Sequence, residues 1–170
     1  MKVLGVDPGT MATGYGVVQA TGIRTFQLVE CGVIRPDREA SLAERLRQVH
    51  EDLAALLARH RPEVLAVEEA FLAVNVRTTL VLGQARGVIL LAGAQAGVEL
   101  AEYSPAEIKK AVTGRGQALK PQVGFMVAQL LRLTRAPTPA DAADGCAVAL
   151  THLLRTARPV ARAAARPARR

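Results

Sequence analysis

A chain of 170 residues, half of them apolar, can bury one good core but is too short for two ordinary domains. Its net charge of +7 is concentrated at one end: residues 155–170 hold six arginines and no acid, which leaves +1 for the rest, so charge alone does not identify a nucleic-acid binder. Cys31 and Cys146 form neither a zinc pattern nor a disulfide framework, and the sequence shows neither a signal-peptide h-region nor an apolar run of roughly 18 residues, so a reducing cytoplasm is the expected location.

Residues 2–6 read as a buried strand that stops at Asp7-Pro8-Gly9, a turn sequence in which Pro ends the ladder. Gly14 to Gln19 and Phe26 to Ile34 read as hairpin strands reversing at Thr21-Gly22. Ser41 with Glu44 makes a capping box for a helix whose apolar face is Leu42, Leu46, Val49, Leu53 and Leu56, and Arg61-Pro62 ends it. Val64 to Val67 is a short apolar strand of the kind covered on both faces, with Glu68 and Glu69 at its carboxyl end. Residues 76–96 read as a helix in which Gly83, Gly87 and Gly93 mark a close packing surface. A strand from Val98 to Tyr103, a helix from Ser104-Pro105 to Val112, the loop Thr113-Gly114-Arg115-Gly116 and a helix over about 119–132 follow. The last helix opens at Thr138-Pro139-Ala140-Asp141 and runs to about Leu154.

Three antiparallel strands followed by strands alternating with helices predict a mixed five-stranded α/β sheet with helices on its faces, an order that resembles the ribonuclease H-like fold. The expected organisation is one domain over residues 1–155 and a basic, disordered tail over 156–170.

Four acids, Asp7, Glu68, Asp141 and Asp144, fall at strand ends or in the first turns of a helix. Clustered carboxylates hold paired divalent cations, and paired cations cut phosphodiesters. Each acid also has a plainer account. An Asp-Pro-Gly turn uses Asp7 for its own hydrogen bonds, and Asp-x-Gly-Thr equally resembles the phosphate loop of the actin and sugar-kinase superfamily. Adjacent strand residues leave opposite faces, so only one of Glu68 and Glu69 can meet Asp7, and periodicity does not choose. Thr138 to Asp141 fits a capping box, and the macrodipole favours acids there, but Asp144, on the same helix face as Asp141, is not needed for the cap. His152 reads as packed or solvent-facing rather than as a ligand.

The segments GVDPGTMATGYGVV, LAVEEAFLAVN, LGQARGVILLA and ADAADGCAVALTH are similar, in order and spacing, to signature segments of the RuvC family of bacterial Holliday-junction resolvases, over residues 1–154. The resemblance implies a homodimeric endonuclease that places paired symmetric nicks in four-way DNA junctions with Mg²⁺ or Mn²⁺, two ions per active site, in recombination and repair alongside the RuvA and RuvB branch-migration proteins. It also assigns the catalytic, metal-binding set to Asp7, Glu68, Asp141 and Asp144, and so selects Glu68 over Glu69. Phe71 corresponds to a family aromatic that stacks on a base near the junction. Lys109 and Lys120 fall on two family lysines that contact the scissile strand. Val74 stands where relatives often carry a basic residue, and Arg77 is the candidate to compensate.

Three other readings compete with the resolvase. A ribonuclease H-like nuclease could act on other structured nucleic acid, and a non-catalytic junction-binding protein would cut nothing. A kinase-like ATPase needs two such domains around its nucleotide, and 170 residues supply one.

Overall fold

Alternation along the first strand sets the layers of the molecule. The computed structural model describes residues 1–9, 11–69 and 76–156. Strand β1 (Lys2–Asp7) is central in a sheet of order β3-β2-β1-β4-β5. Strands β2 (Thr13–Gly22) and β3 (Thr25–Ile34) form an antiparallel hairpin on one side of it. On the other side β4 (Val64–Glu68) is parallel to β1, and β5 (Glu99–Tyr103) is parallel to β4. The helices are α1 (Leu42–His60), α2 (Val76–Gln95), α3 (Pro105–Thr113), α4 (Lys120–Leu130) and α5 (Ala140–Thr156).

Val3, Val18, Val64 and Ala66 point to a core shared with α3, α4 and α5, whereas Leu4, Val6, Val17, Leu65 and Val67 point to a second core with α1 and α2. With both faces covered, β1 and β4 can be apolar at nearly every position, which is why they read as continuous runs. Each fully buried leucine here, such as Leu4, Leu65 or Leu150, contributes about 1.5–3 kcal/mol. This is the predicted mixed sheet with helices on its faces.

The local signals at α1 are realised. The Glu44 N–H donates to Ser41 Oγ at 3.3 Å, the Ser41 N–H donates to Glu44 Oε2 at 3.2 Å, and the helix stops where Arg61 takes a left-handed φ of 45°. An equivalent Ser104–Glu107 box opens α3. Three expectations need correction. The hairpin reverses at Ile23-Arg24 rather than Thr21-Gly22, because Gly22 still pairs with Thr25 and Arg24 takes the positive φ. Helix α5 begins at Ala140, so Thr138 stands two residues ahead of it and not at the cap. In α2 only Gly93 is tightly packed, against Leu65 and Leu100, whereas a methyl group on Gly83 or Gly87 would meet nothing within 4 Å.

Helix α5 lies unusually close to the sheet. A Cβ on Gly5 would stand 2.3 Å from the Gly145 carbonyl oxygen, one on Gly16 would stand 2.6 Å from Cys146 Sγ, and one on Gly145 would reach the Tyr15 backbone at 2.5 Å. Backbone rests on backbone along β1 and β2, and residues Ala142, Ala143 and Gly145 to Leu153 of the helix are buried. Cys31 and Cys146 are free thiols. Among the described residues no helix is long and apolar enough to cross a membrane.

Candidate active site

The carboxyl ends of β1 and β4 lie side by side, since their parallel register runs to the Val6–Val67 pair. The next residues are Asp7 and Glu68. Parity sends both to the α5 face, because Val64 and Ala66 belong to the core beneath α5 while Leu65 and Val67 belong to the opposite one. The choice between Glu68 and Glu69 that periodicity left open is therefore made by the sheet. Glu69 lies one residue past the strand, where its N–H donates to the Tyr103 carbonyl at 2.9 Å.

The other two acids arrive on α5. Asp7 pairs with Gly14 across the antiparallel ladder, and a Cβ on Gly14 would stand 1.9 Å from the Asp141 carbonyl oxygen. The bare glycine thus lets the first turn of α5 rest directly beside Asp7. Asp144, one turn on, lines a cleft of ≈100 Å³ together with Asp7, Glu68, Lys109, Lys120 and the apolar Ile108, Val123 and Ala147. Asp141 does not line this cleft, but it is close enough for its charge to act on Asp7.

Electrostatics in the cleft follow from crowding. Burial, then the Asp144 charge, push Asp7 up to about 6. Burial, then the Asp7 charge, push Glu68 up to about 8. The two side chains are hydrogen bonded to each other, which favours the proton on Glu68 and the charge on Asp7. Lys120 Nζ meets Asp144 Oδ2 at 2.7 Å, and that bond holds the lysine above its ordinary value. As they stand, no three Asp, Glu, His or Cys side chains among the described residues are arranged to hold a metal ion. The donor chemistry nonetheless fits one: the acids offer only oxygen, and they carry more negative charge than one lysine balances.

The family model for crossover junction endodeoxyribonuclease RuvC matches residues 3–152. The chain belongs to the RuvC family. Crossover junction endodeoxyribonuclease RuvC of Pelotomaculum thermopropionicum is 51% identical over 152 residues, 89% of this chain and 92% of that protein. That of Azorhizobium caulinodans is 49% identical over 152 residues, 89% of each chain. Among solved structures, T. thermophilus RuvC in complex with Holliday junction substrate superposes with a TM-score of 0.86 at 37% identity, covering 91% of this chain and 94% of that one.

Within this chain the predicted site residues separate into groups. Asp7, Glu68, Asp144, Lys109 and Lys120 share the cleft, and Asp141 does not line it but acts on Asp7 through its charge. Arg77 is exposed in the first turn of α2 and is not among the described residues lining the cleft. Phe71 and Val74 lie outside the described residues, as does all of the predicted tail except Thr156. His152 is buried and accepts or donates a 2.8 Å hydrogen bond with the Tyr103 hydroxyl, a packed histidine as expected. Sequence reasoning missed the sheet glycines. Their signal was the i, i+2 spacing of Gly5 with Asp7 and of Gly14 with Gly16, which places them on the face that α5 covers.

The raised carboxylates make a stability prediction. The folded protein keeps protons that the unfolded chain releases near its ordinary values of 3.8 and 4.5, so stabilisation present at lower pH is lost as pH rises through about 6 for Asp7 and about 8 for Glu68. In EDTA the melting temperature is expected to fall between about pH 5 and pH 9. Glu68→Gln should flatten that fall. Thermal denaturation across this range checks it, and an equally steep fall in Glu68→Gln excludes the pair as its source.

Proposed function

We propose that this RuvC-family endonuclease hydrolyses phosphodiesters in four-way DNA junctions, using two divalent cations, Mg²⁺ or Mn²⁺, held by Asp7, Glu68, Asp141 and Asp144. The observation that carries the reading is the convergence of β1, β4 and α5 on one cleft, acidic at its floor and flanked by Lys109 and Lys120. Bound cations of this kind activate a water and stabilise the leaving oxygen. The chain's own side chains do the rest. Asp7 and Glu68, which share a proton without metal, would ligate as carboxylates once that proton passes to solvent, and Lys109 and Lys120 would seat the scissile phosphate as point charges. Junction DNA is the favoured substrate because the T. thermophilus relative is seen with a Holliday junction. Phe71 would stack on an unpaired base, and Arg77 would compensate for Val74 in gripping unpaired bases.

Two symmetric nicks need two sites related by a two-fold axis, so the working unit is a homodimer. Helix α2 supplies a surface for it: Val76, Leu80 and Leu91 are 76%, 62% and 51% exposed, and Gly83 and Gly87 lie open between them. Residues 1–155 act as one nuclease domain, the arginines beyond add sequence-independent affinity, and the setting is cytoplasmic processing of junctions with RuvA and RuvB.

Incubation with an immobile four-way junction, linear duplex and other branched nucleic acids, with and without Mg²⁺, tests the reading. Metal-dependent, paired cuts confined to the junction are expected. Equal cutting of other branched substrates favours the broader nuclease, and binding without cutting rejects catalysis. Leu80→Glu should shift junction-bound protein toward monomer in sedimentation and replace paired cuts by single nicks. A variant that remains dimeric removes α2 from the interface.

A further inference from the structure

The cation nearest the acidic floor is a side chain of the protein itself. Lys120 Nζ lies 2.7 Å from Asp144 Oδ2, and its charge also acts on Asp7 and Glu68. The geometry of the pair is lopsided: the Asp144 side chain is 18% exposed and that of Lys120 is 71% exposed. The ammonium therefore reaches in from solvent to a recessed carboxylate, along a stem that little else holds. Its backbone is fixed, because Lys120 is the first residue of α4 and the Leu119 N–H donates to Gln122 Oε1 at 2.9 Å across that turn. Lys109 lines the same cleft but makes none of the described ion pairs.

Taking the carboxylates as the metal ligands of the function proposed above, we propose that Lys120 is an internal competitor for the metal, and that the DNA strand relieves the competition by drawing the ammonium onto phosphate. The ammonium occupies a carboxylate oxygen that a metal ion would ligate. A divalent cation entering beside it would be repelled by a like charge at short range in a partly buried cleft. When the ammonium leaves Asp144, its fixed backbone keeps it at the cleft mouth beside Lys109, where a scissile-strand phosphate has to lie. Phosphate and metal thus each favour the lysine position that admits the other. Linkage makes this reciprocal: DNA tightens metal binding by the factor with which metal tightens DNA binding. The result is an enzyme that loads metal well only when a strand is seated.

The test needs no turnover. Mn²⁺ binding to the full chain is measured by electron paramagnetic resonance without DNA, then with a junction whose scissile phosphates are made uncleavable. In the wild type, junction should tighten Mn²⁺ binding by about fivefold or more, the lower end of ordinary coupling factors. Lys120→Met keeps the stem and removes the charge at a mostly exposed side chain, so folding is not at risk. It should bind Mn²⁺ about fivefold more tightly without DNA and show a smaller junction effect than the wild type, the remainder being the direct attraction of phosphate for the cation. Lys109→Met removes an equal charge from the same cleft and should change DNA-free binding by less than about twofold, which separates release of Asp144 from a general field effect. Unchanged or weaker Mn²⁺ binding in Lys120→Met, or an equal gain in Lys109→Met, overturns the proposal. Asp7→Asn and Asp144→Asn calibrate the site: if they lose Mn²⁺ binding while Lys120→Met behaves like wild type, only the lysine's role fails. If they keep it, the carboxylate assignment fails and the proposal with it.

Discussion

Replacing Asp7, Glu68, Asp141 or Asp144 singly by its amide should reduce single-turnover junction cleavage in Mg²⁺ by on the order of 10²–10³-fold or more, the loss expected when one group that stabilises transition-state charge is removed. Volume and shape hardly change, so the fold should persist. Junction binding in EDTA should hold or tighten, because a carboxylate facing phosphate repels it when no cation intervenes. Asp7→Asn and Glu68→Gln should also raise the metal-free melting temperature above about pH 8, since they delete the charges that burial and mutual repulsion disfavour. Glu69→Gln is the control within the same Glu-Glu pair: Glu69 does not line the cleft, and its backbone bond to Tyr103 survives the change. Single-turnover rates and equilibrium binding on all five variants decide the matter. Wild-type cleavage in any of the first four removes that residue from the site, and loss of cleavage in folded Glu69→Gln would mean the strand parity is misassigned.

What the sequence disclosed about this site was local, and what it concealed was contact between distant segments. The Ser41–Glu44 box and the Leu42-to-Leu56 periodicity are complete within a few turns of chain, so α1 was readable to its cap. The apolar runs of β1 and β4 were readable because burial on both faces leaves no polar position. Glu68 and Glu69 were not separable, because the face each takes depends on which helices cover which side of the sheet. The α2 glycines misled for a related reason. A glycine in a helix reports only missing propensity, and whether the space above it is filled, as at Gly93, or open, as at Gly83, is set by Leu65 and Leu100 far away in sequence. The pairing of Lys120 with Asp144 is likewise invisible in a sequence that names both residues.

Gly14→Ala should separate the position of Asp141 from the mere presence of its carboxylate. The added methyl would sit 1.9 Å from the Asp141 carbonyl oxygen and 2.6 Å from its carbonyl carbon, both backbone atoms with no rotamer to yield. Relief therefore requires the first turn of α5 to lift from β2, just where β2 pairs with Asp7. Overpacking of this kind costs about 1–3 kcal/mol, and each kcal/mol lowers the melting temperature of a chain this size by about 2–4 °C. The fold should survive, anchored by the buried residues Ala142, Ala143 and Gly145 to Leu153 further along the helix. Cleavage should fall further than the unfolded fraction accounts for, by about 10²-fold, because displacements of about 1 Å at a catalytic group have consequences of that size. Gly22→Ala is the matched control: its methyl would meet only the Thr25 side chain, at an ordinary 3.7 Å, at the far end of the same strand. Melting curves and cleavage rates well below the melting temperature check both variants. If Gly14→Ala is destabilised yet cuts as fast per folded molecule as wild type, the site tolerates movement of Asp141, and close seating of α5 serves stability alone.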